Sequence, residues 1–162
     1  MTEVVLAIDS VGVRGDGVAQ YDGKSVYVPF AAPGDRVRVR LSSDKGERRG
    51  DIVEILAAGA RAKPVCAHFG VCGGCALQHL TGEAYAAAKL SWLKGALAQH
   101  GFADVEIAPL HRLAPGTRRR ARLALARNGE TVTGFHGRMS HAIVDMRECH
   151  VLHPALFALA DP

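Results

Sequence analysis

The sequence predicts an α+β protein, and three observations carry that prediction. The first 60 residues alternate short apolar runs with glycine and proline turns, the pattern of a small antiparallel β-structure. One stretch near the middle, TGEAYAAAKLSWLKGALAQHG, has helical spacing and helical punctuation. Beyond it the chain returns to alternating segments broken by Asn-Gly and glycine. Strands and helix therefore occupy separate stretches of chain instead of interleaving.

The strands can be justified in order. VVLAID (4–9) reads as the first, followed by the glycine-punctuated VGVRGDGVA. In YDGKSVYVP an Asp22-Gly23 turn leads into an apolar strand, a hairpin signal. Pro33-Gly34 turns the chain into RVRVRL (36–41). There Val37, Val39 and Leu41 point one way, and Arg36, Arg38 and Arg40 the other. DIVEIL (51–56) follows the charged tip SSDKGERRG. Five short strands in residues 1–60 predict a small, partly open five-stranded β-barrel of the oligonucleotide-binding type with one basic face. Such a barrel suits contact with a single-stranded backbone, although Tyr21, Tyr27 and Phe30 are its few aromatic platforms. Small barrels also serve as protein-interaction modules.

ARAKP marks a boundary at about residues 60–64, and the second domain is read as 64–162. Its helix, 81–100, has Thr81 as N-cap and Gly101 where a left-handed terminal residue belongs. Tyr85, Ala88, Trp92 and Ala96, with Leu93 and Leu97, form an apolar stripe at helical spacing. RRARLALA (119–126), an Asn128-Gly129 turn, TVTGFHG (131–137) and AIVDM (142–146) read as an antiparallel sheet.

Composition narrows the function classes. The chain has 162 residues, 48% hydrophobic and 22% charged, with no low-complexity tract. The start, MTEVVLAIDS, lacks the basic and apolar regions of a signal peptide, and the apolar runs near 55–60 and 155–160 are too short to span a bilayer. A cytoplasmic protein without membrane contact is expected, and its four cysteines then argue for a thiol or metal site over a disulfide framework. The net charge is +4, and HRLAPGTRRRARLALAR (111–127) holds six arginines and no acid. The remaining 14 basic and 16 acidic residues nearly cancel, so the positive charge is local. That suggests a polyanion footprint, with a merely solvated strand face as the bland alternative. On a strand, Arg118, Arg120 and Arg122 would share one face.

CAHFGVCGGC (66–75) is the most informative stretch. Cys66, Cys72 and Cys75 place three thiols on a loop that Gly70, Gly73 and Gly74 allow to fold tightly. The only other cysteine is Cys149, in MRECHVLHP. Four cysteine ligands suit either a structural zinc or a [4Fe–4S] cluster. Three clustered cysteines and one remote cysteine look more like iron–sulfur ligation than paired zinc knuckles, and zinc, with His68 and His79 as further candidate ligands, stays the alternative.

PVCAHFGVCGGCALQHL, GTRRRARL and GFHGRMSHAIVDMRECHVLHPAL, in that order, resemble the bacterial RNA uracil-C5 methyltransferases. The closest likeness is to the iron–sulfur branch that modifies large-subunit ribosomal RNA. The resemblance covers essentially the whole chain. It implies that residues 1–60 are a TRAM domain, an RNA-binding barrel, and that 64–162 are the iron–sulfur central domain. It implies a [4Fe–4S] cluster on Cys66, Cys72, Cys75 and Cys149, and helix 81–100 packed on a catalytic domain. In that family S-adenosylmethionine, a nucleophilic cysteine and a carboxylate base belong to a C-terminal Rossmann-like domain, for which these 162 residues have no fingerprint.

The expected function is the RNA-recognition and iron–sulfur portion of an S-adenosylmethionine-dependent enzyme forming 5-methyluridine in RNA, with ribosomal RNA as partner and the catalytic domain missing. The chain alone is expected to be inactive. The RNA contacts are assigned to Arg36, Arg38, Arg40, Arg118, Arg120 and Arg122. Two other readings remain open at this point: a non-catalytic RNA-binding TRAM and metal protein, and a zinc-stabilised binding module.

Overall fold

The structure is a computed structural model that describes residues 2–44 and 46–159. The chain divides into two compact units, 1–63 with 79–110, and 64–78 with 111–162.

The first unit is built on a six-stranded mixed sheet: β1 (Glu3–Ala7), β2 (Ser10–Val11), β3 (Gly17–Tyr21), β4 (Lys24–Val28), β5 (Arg36–Asp44) and β6 (Glu47–Ala57). Their order is β1-β5-β6-β4-β3-β2. All neighbours are antiparallel except β4 and β6, where Val26 and Tyr27 pair in parallel with Arg48 and Arg49. The β3–β4 hairpin turns at Asp22 and Gly23, with φ of 49° and 68°, as the Asp-Gly dipeptide predicts.

The expected five-stranded barrel needs correction. A sixth strand, β2, extends the edge, and the sheet curls without a ladder joining β1 directly to β2. Strand alternation sets its core: Val37 and Val39 are fully buried, while Arg36, Arg38 and Arg40 lie on the opposite face. Leu6, Ile8, Ala19, Val26, Val28 and Ala31 complete the cluster. Tyr21 packs against this core, and Phe30 meets His79 edge to face, so both rings are half-buried in packing.

One buried ion pair secures the sheet's lower loops. Asp35 is fully buried and accepts from Ala32 N (2.8 Å), Gly59 N (2.8 Å) and Arg61 Nη2 (2.8 Å). Burial alone would push its carboxyl up, but these donors outweigh it and hold the pKa below the ordinary value. Gly59 is required there, because a Cβ would lie 2.3 Å from Gly34 C and Pro33 O.

Helix α1 (Gly82–Gln99) starts and stops as its sequence predicts. Thr81 Oγ1 accepts from Ala84 N at 3.2 Å, and Gly101 has φ +85°. The sequence grouped this helix with residues 64–162; in the structure it groups with the sheet unit. Trp92 Nε1 donates to Val11 O at 2.8 Å and Ala88 is buried, whereas Leu93 stays 46% exposed. Only part of the apolar stripe is used inside the unit.

The second unit has little regular structure among its described residues: the hairpin β7 (Ala124–Asn128) and β8 (Glu130–Gly134), and the short helix α2 (Pro154–Ala158). The strands expected at 119–126 and 142–146 are otherwise absent from the described residues. Ladder bonds need a neighbouring strand, and here only single bridges form, Arg118 with Leu152 and Ile143 with His136. Within the described chain no helix is long and apolar enough to cross a membrane.

Candidate metal centre

The cysteine loop folds on itself first. Phe69 N donates to Cys66 O (3.1 Å), and Val71 N and Cys72 N both donate to His68 O (3.1 and 2.8 Å). Gln78 Oε1 accepts from Cys66 N at 3.2 Å and closes the loop. The loop then docks on the chain leaving β8, with Gly73 N donating to His136 O and Arg138 N to Val71 O, both at 2.9 Å. A Cβ on Gly73 would meet His136 O at 2.8 Å, and one on Gly74 the Phe135 ring at 2.9 Å. The glycines read as permitting a tight fold thus also permit this close approach.

Cys149 arrives from 74 positions beyond Cys75, and two side-chain hydrogen bonds bring it in. Glu148 Oε1 accepts from Ala67 N at 2.5 Å, and His68 Nε2 accepts from Arg147 N at 3.0 Å. Cys66, Cys72, Cys75 and Cys149 are all unbridged and half-buried, and all four line one cavity. Its other walls are the apolar Phe69, Phe135, Met146 and Leu152, with Arg118, Glu148 and His150 among the polar ones.

The thiols sense one another. Burial pushes the Cys72 thiol up; Gly74 N, which donates to its Sγ at 3.4 Å, opposes this, and charge on Cys75 and Cys149 adds to the rise. Burial likewise pushes Cys66 up, against a backbone hydrogen bond from His68, with Glu148 and Cys75 adding to the rise. Glu148 is held below the ordinary carboxylate value, first by the Ala67 N–H and then by His150 at 3.4 Å. Cys66 and Cys72 are therefore held towards their protonated form, and a bound cation would oppose that and release protons.

Among the described residues no three His, Cys, Asp or Glu side chains are already gathered around a single ion position. Four thiols line one cavity, and by chemical type that donor set suits both groups the sequence left open. His68 has its Nε2 engaged by Arg147 N. His79 is buried in the other unit with Nε2 3.3 Å from Ala31 O.

The basic residues fall into two groups. Arg118 lines the cysteine cavity, its backbone held by Val151 O (3.2 Å) and His153 N (2.9 Å). Arg119, Arg120 and Arg122 are exposed on chain that is not a strand, so the shared strand face of Arg118, Arg120 and Arg122 is not formed. Arg36, Arg38 and Arg40 do share a face on β5. Arg38 pairs with Glu54 (3.2 Å) and Arg40 with Glu3 (3.0 Å), while among the described residues Arg36 makes no ion pair. Sequence reasoning missed Gln78, Glu148 and the bonding role of His68. The Glu148 and His68 bonds join segments about 80 residues apart, which no local spacing encodes.

Comparison with known proteins gives the class. No family model matches the chain. An uncharacterized RNA methyltransferase of Caulobacter vibrioides is 40% identical over 158 residues, covering 94% of this chain and 37% of that protein. Several relatives are more narrowly described. The 23S rRNA (uracil(1939)-C(5))-methyltransferase RlmD of Bordetella parapertussis is 40% identical over 165 residues, covering 98% of this chain and 35% of its own length. Its counterpart in Aromatoleum aromaticum is 42% identical over 161 residues, covering 93% and 36%. The chain spans little more than a third of the length of the curated relatives it matches. The resemblance read in the sequence therefore holds at this level: over nearly all of its length the chain is similar to part of RNA methyltransferases, 23S rRNA uracil-C5 enzymes among them.

Proposed function

We propose that this chain is the RNA-recognition and iron–sulfur portion of an S-adenosylmethionine-dependent methyltransferase that forms 5-methyluridine in ribosomal RNA. The observation that carries the reading is the near-complete match to RNA methyltransferases by a chain whose four cysteines line one cavity. Cys66, Cys72, Cys75 and Cys149 would hold a [4Fe–4S] cluster, with zinc as the alternative. When bound, the cluster supplies covalent cross-links among segments that otherwise meet only through hydrogen bonds. In this reading the curled sheet of the first unit is the TRAM domain. Arg36 on β5 and the exposed Arg119, Arg120 and Arg122 offer phosphate contacts, which position RNA without reading its bases. Methyl transfer, S-adenosylmethionine and base choice belong to the part of the enzyme that lies outside this match.

Deleting the gene that encodes the chain, then mapping methylated uridines in large-subunit ribosomal RNA by mass spectrometry, tests the assignment. One 5-methyluridine should disappear and return on complementation. An unchanged methylation map would contradict it.

A further inference from the structure

A reciprocal clamp joins the segment that carries the solitary fourth cysteine to the three-cysteine loop. His68, from inside the three-cysteine loop, accepts the backbone N–H of Arg147, two residues before Cys149. Glu148, immediately before Cys149, accepts the backbone N–H of Ala67, immediately after Cys66. Each segment thus contributes one side chain and receives one, and the two bonds flank both cysteines. Backbone donors seldom stay unpaired in folded chains, and a bond to a charged acceptor is stronger than one between neutral groups. We propose that His68 and Glu148 are positioning residues that hold Cys149 beside the cysteine loop whether or not a metal is bound, so that the fourth thiol is within reach when the other three take up the cluster.

The proposal rests on the four-cysteine reading given above. It also explains why His68 sits among the thiols: as an acceptor for the protein's own backbone and not as a ligand. Without the clamp, Cys149 would be tied to the loop only through the docking at His136 and Arg138, roughly ten residues earlier in the chain.

The test uses the whole chain in two states. In metal-free protein the amides of Ala67 and Arg147 should exchange slowly with solvent. His68→Ala and Glu148→Ala should each abolish the protection of its own partner amide. In anaerobically loaded protein, His68→Ala/Glu148→Ala should lose iron to a chelator on the order of 10-fold faster than wild type. His68→Gln/Glu148→Gln, which keeps an acceptor at each position, should stay close to wild type. Equal exchange and equal iron loss in wild type and double-alanine protein would overturn the proposal. If the alanine variants fail to fold, the glutamine pair decides: rapid iron loss with an unchanged circular dichroism spectrum contradicts the clamp. Wild type that takes up no iron would defeat the cluster reading, while the metal-free amide measurement would still judge the clamp.

Discussion

Residues 1–63 with 79–110 bury twelve apolar side chains, from Leu6 to Ala88, whereas 64–78 with 111–162 bury two among the described residues, Met146 and Leu152. At about 1.5–3 kcal/mol for each large apolar side chain, the first unit has a core able to offset its chain entropy. The second does not, and what joins its segments is a net of backbone hydrogen bonds around four half-buried thiols. Small units with too little core generally depend on disulfides or metals, and in the proposed function a metal on the four cysteines would be that staple. On the proposed function, the contrast teaches that the two halves should fail for different reasons: the sheet unit by losing packing, the cysteine unit by losing the metal it would hold.

The largest expected effect comes from Cys149→Ser. Wild type purified without air should be brown, with about four irons per chain. The variant should lose nearly all of that iron, although Cys149 is remote in sequence, and the melting of the sheet unit should not change. Stoichiometric zinc without iron in wild type would instead favour the zinc alternative.

Asp35→Ala should do the opposite. It leaves Arg61 and the Ala32 and Gly59 amides without their acceptor, at a cost of about 3–5 kcal/mol, and should not alter iron content. The same carboxyl makes the sheet unit acid-sensitive. Its folded pKa lies below the unfolded value, so its contribution is complete above about pH 4 and is lost as pH falls through the lower folded value. Urea melts across this range should show an acid limb that the variant lacks. Iron loss in folded Asp35→Ala protein would break the separation between the units.

The smallest effects concern the basic face. Arg36→Ala should lower the salt dependence of RNA binding by roughly 0.7 in log–log slope, as one lost phosphate contact on a single strand does. Arg38→Ala and Arg40→Ala should each lower it less, because Glu54 and Glu3 compete with phosphate for those side chains. Anisotropy titrations against structured ribosomal RNA at several salt concentrations measure all three. Identical losses would show that the ion pairs are irrelevant to RNA.

The two units also differ in how much of them the sequence made legible. RVRVRL and Asp22-Gly23 encode their structure locally, and both formed as read. So did the Thr81 cap and the Gly101 turn. The arginine run looked like a strand because Ala121 and Leu123 alternate with charge, but alternation supplies no pairing partner, and regular structure begins only at Ala124. Short β2 and the Asp35–Arg61 pair had no local signal. That the four cysteines share one neighbourhood was legible in their number and spacing, and all four line one cavity; the bonds that bring Cys149 there were not legible, because His68 and Glu148 act on backbone across about 80 residues.

The central claim is that the cysteine unit owes its order to a metal and the sheet unit does not. Amide hydrogen exchange read by mass spectrometry, on anaerobically loaded chain before and after chelation, addresses it most directly. Chelation should release protection across 64–78 and 111–159, the clamped amides of Ala67 and Arg147 apart, by tenfold or more, a change of about 1.4 kcal/mol, while the amides of β1 to β6 keep theirs. Within the cysteine unit, Ala67 and Arg147 should be the last to exchange. Unchanged protection of the cysteine unit after complete iron removal, or equal loss in both units, would contradict the account.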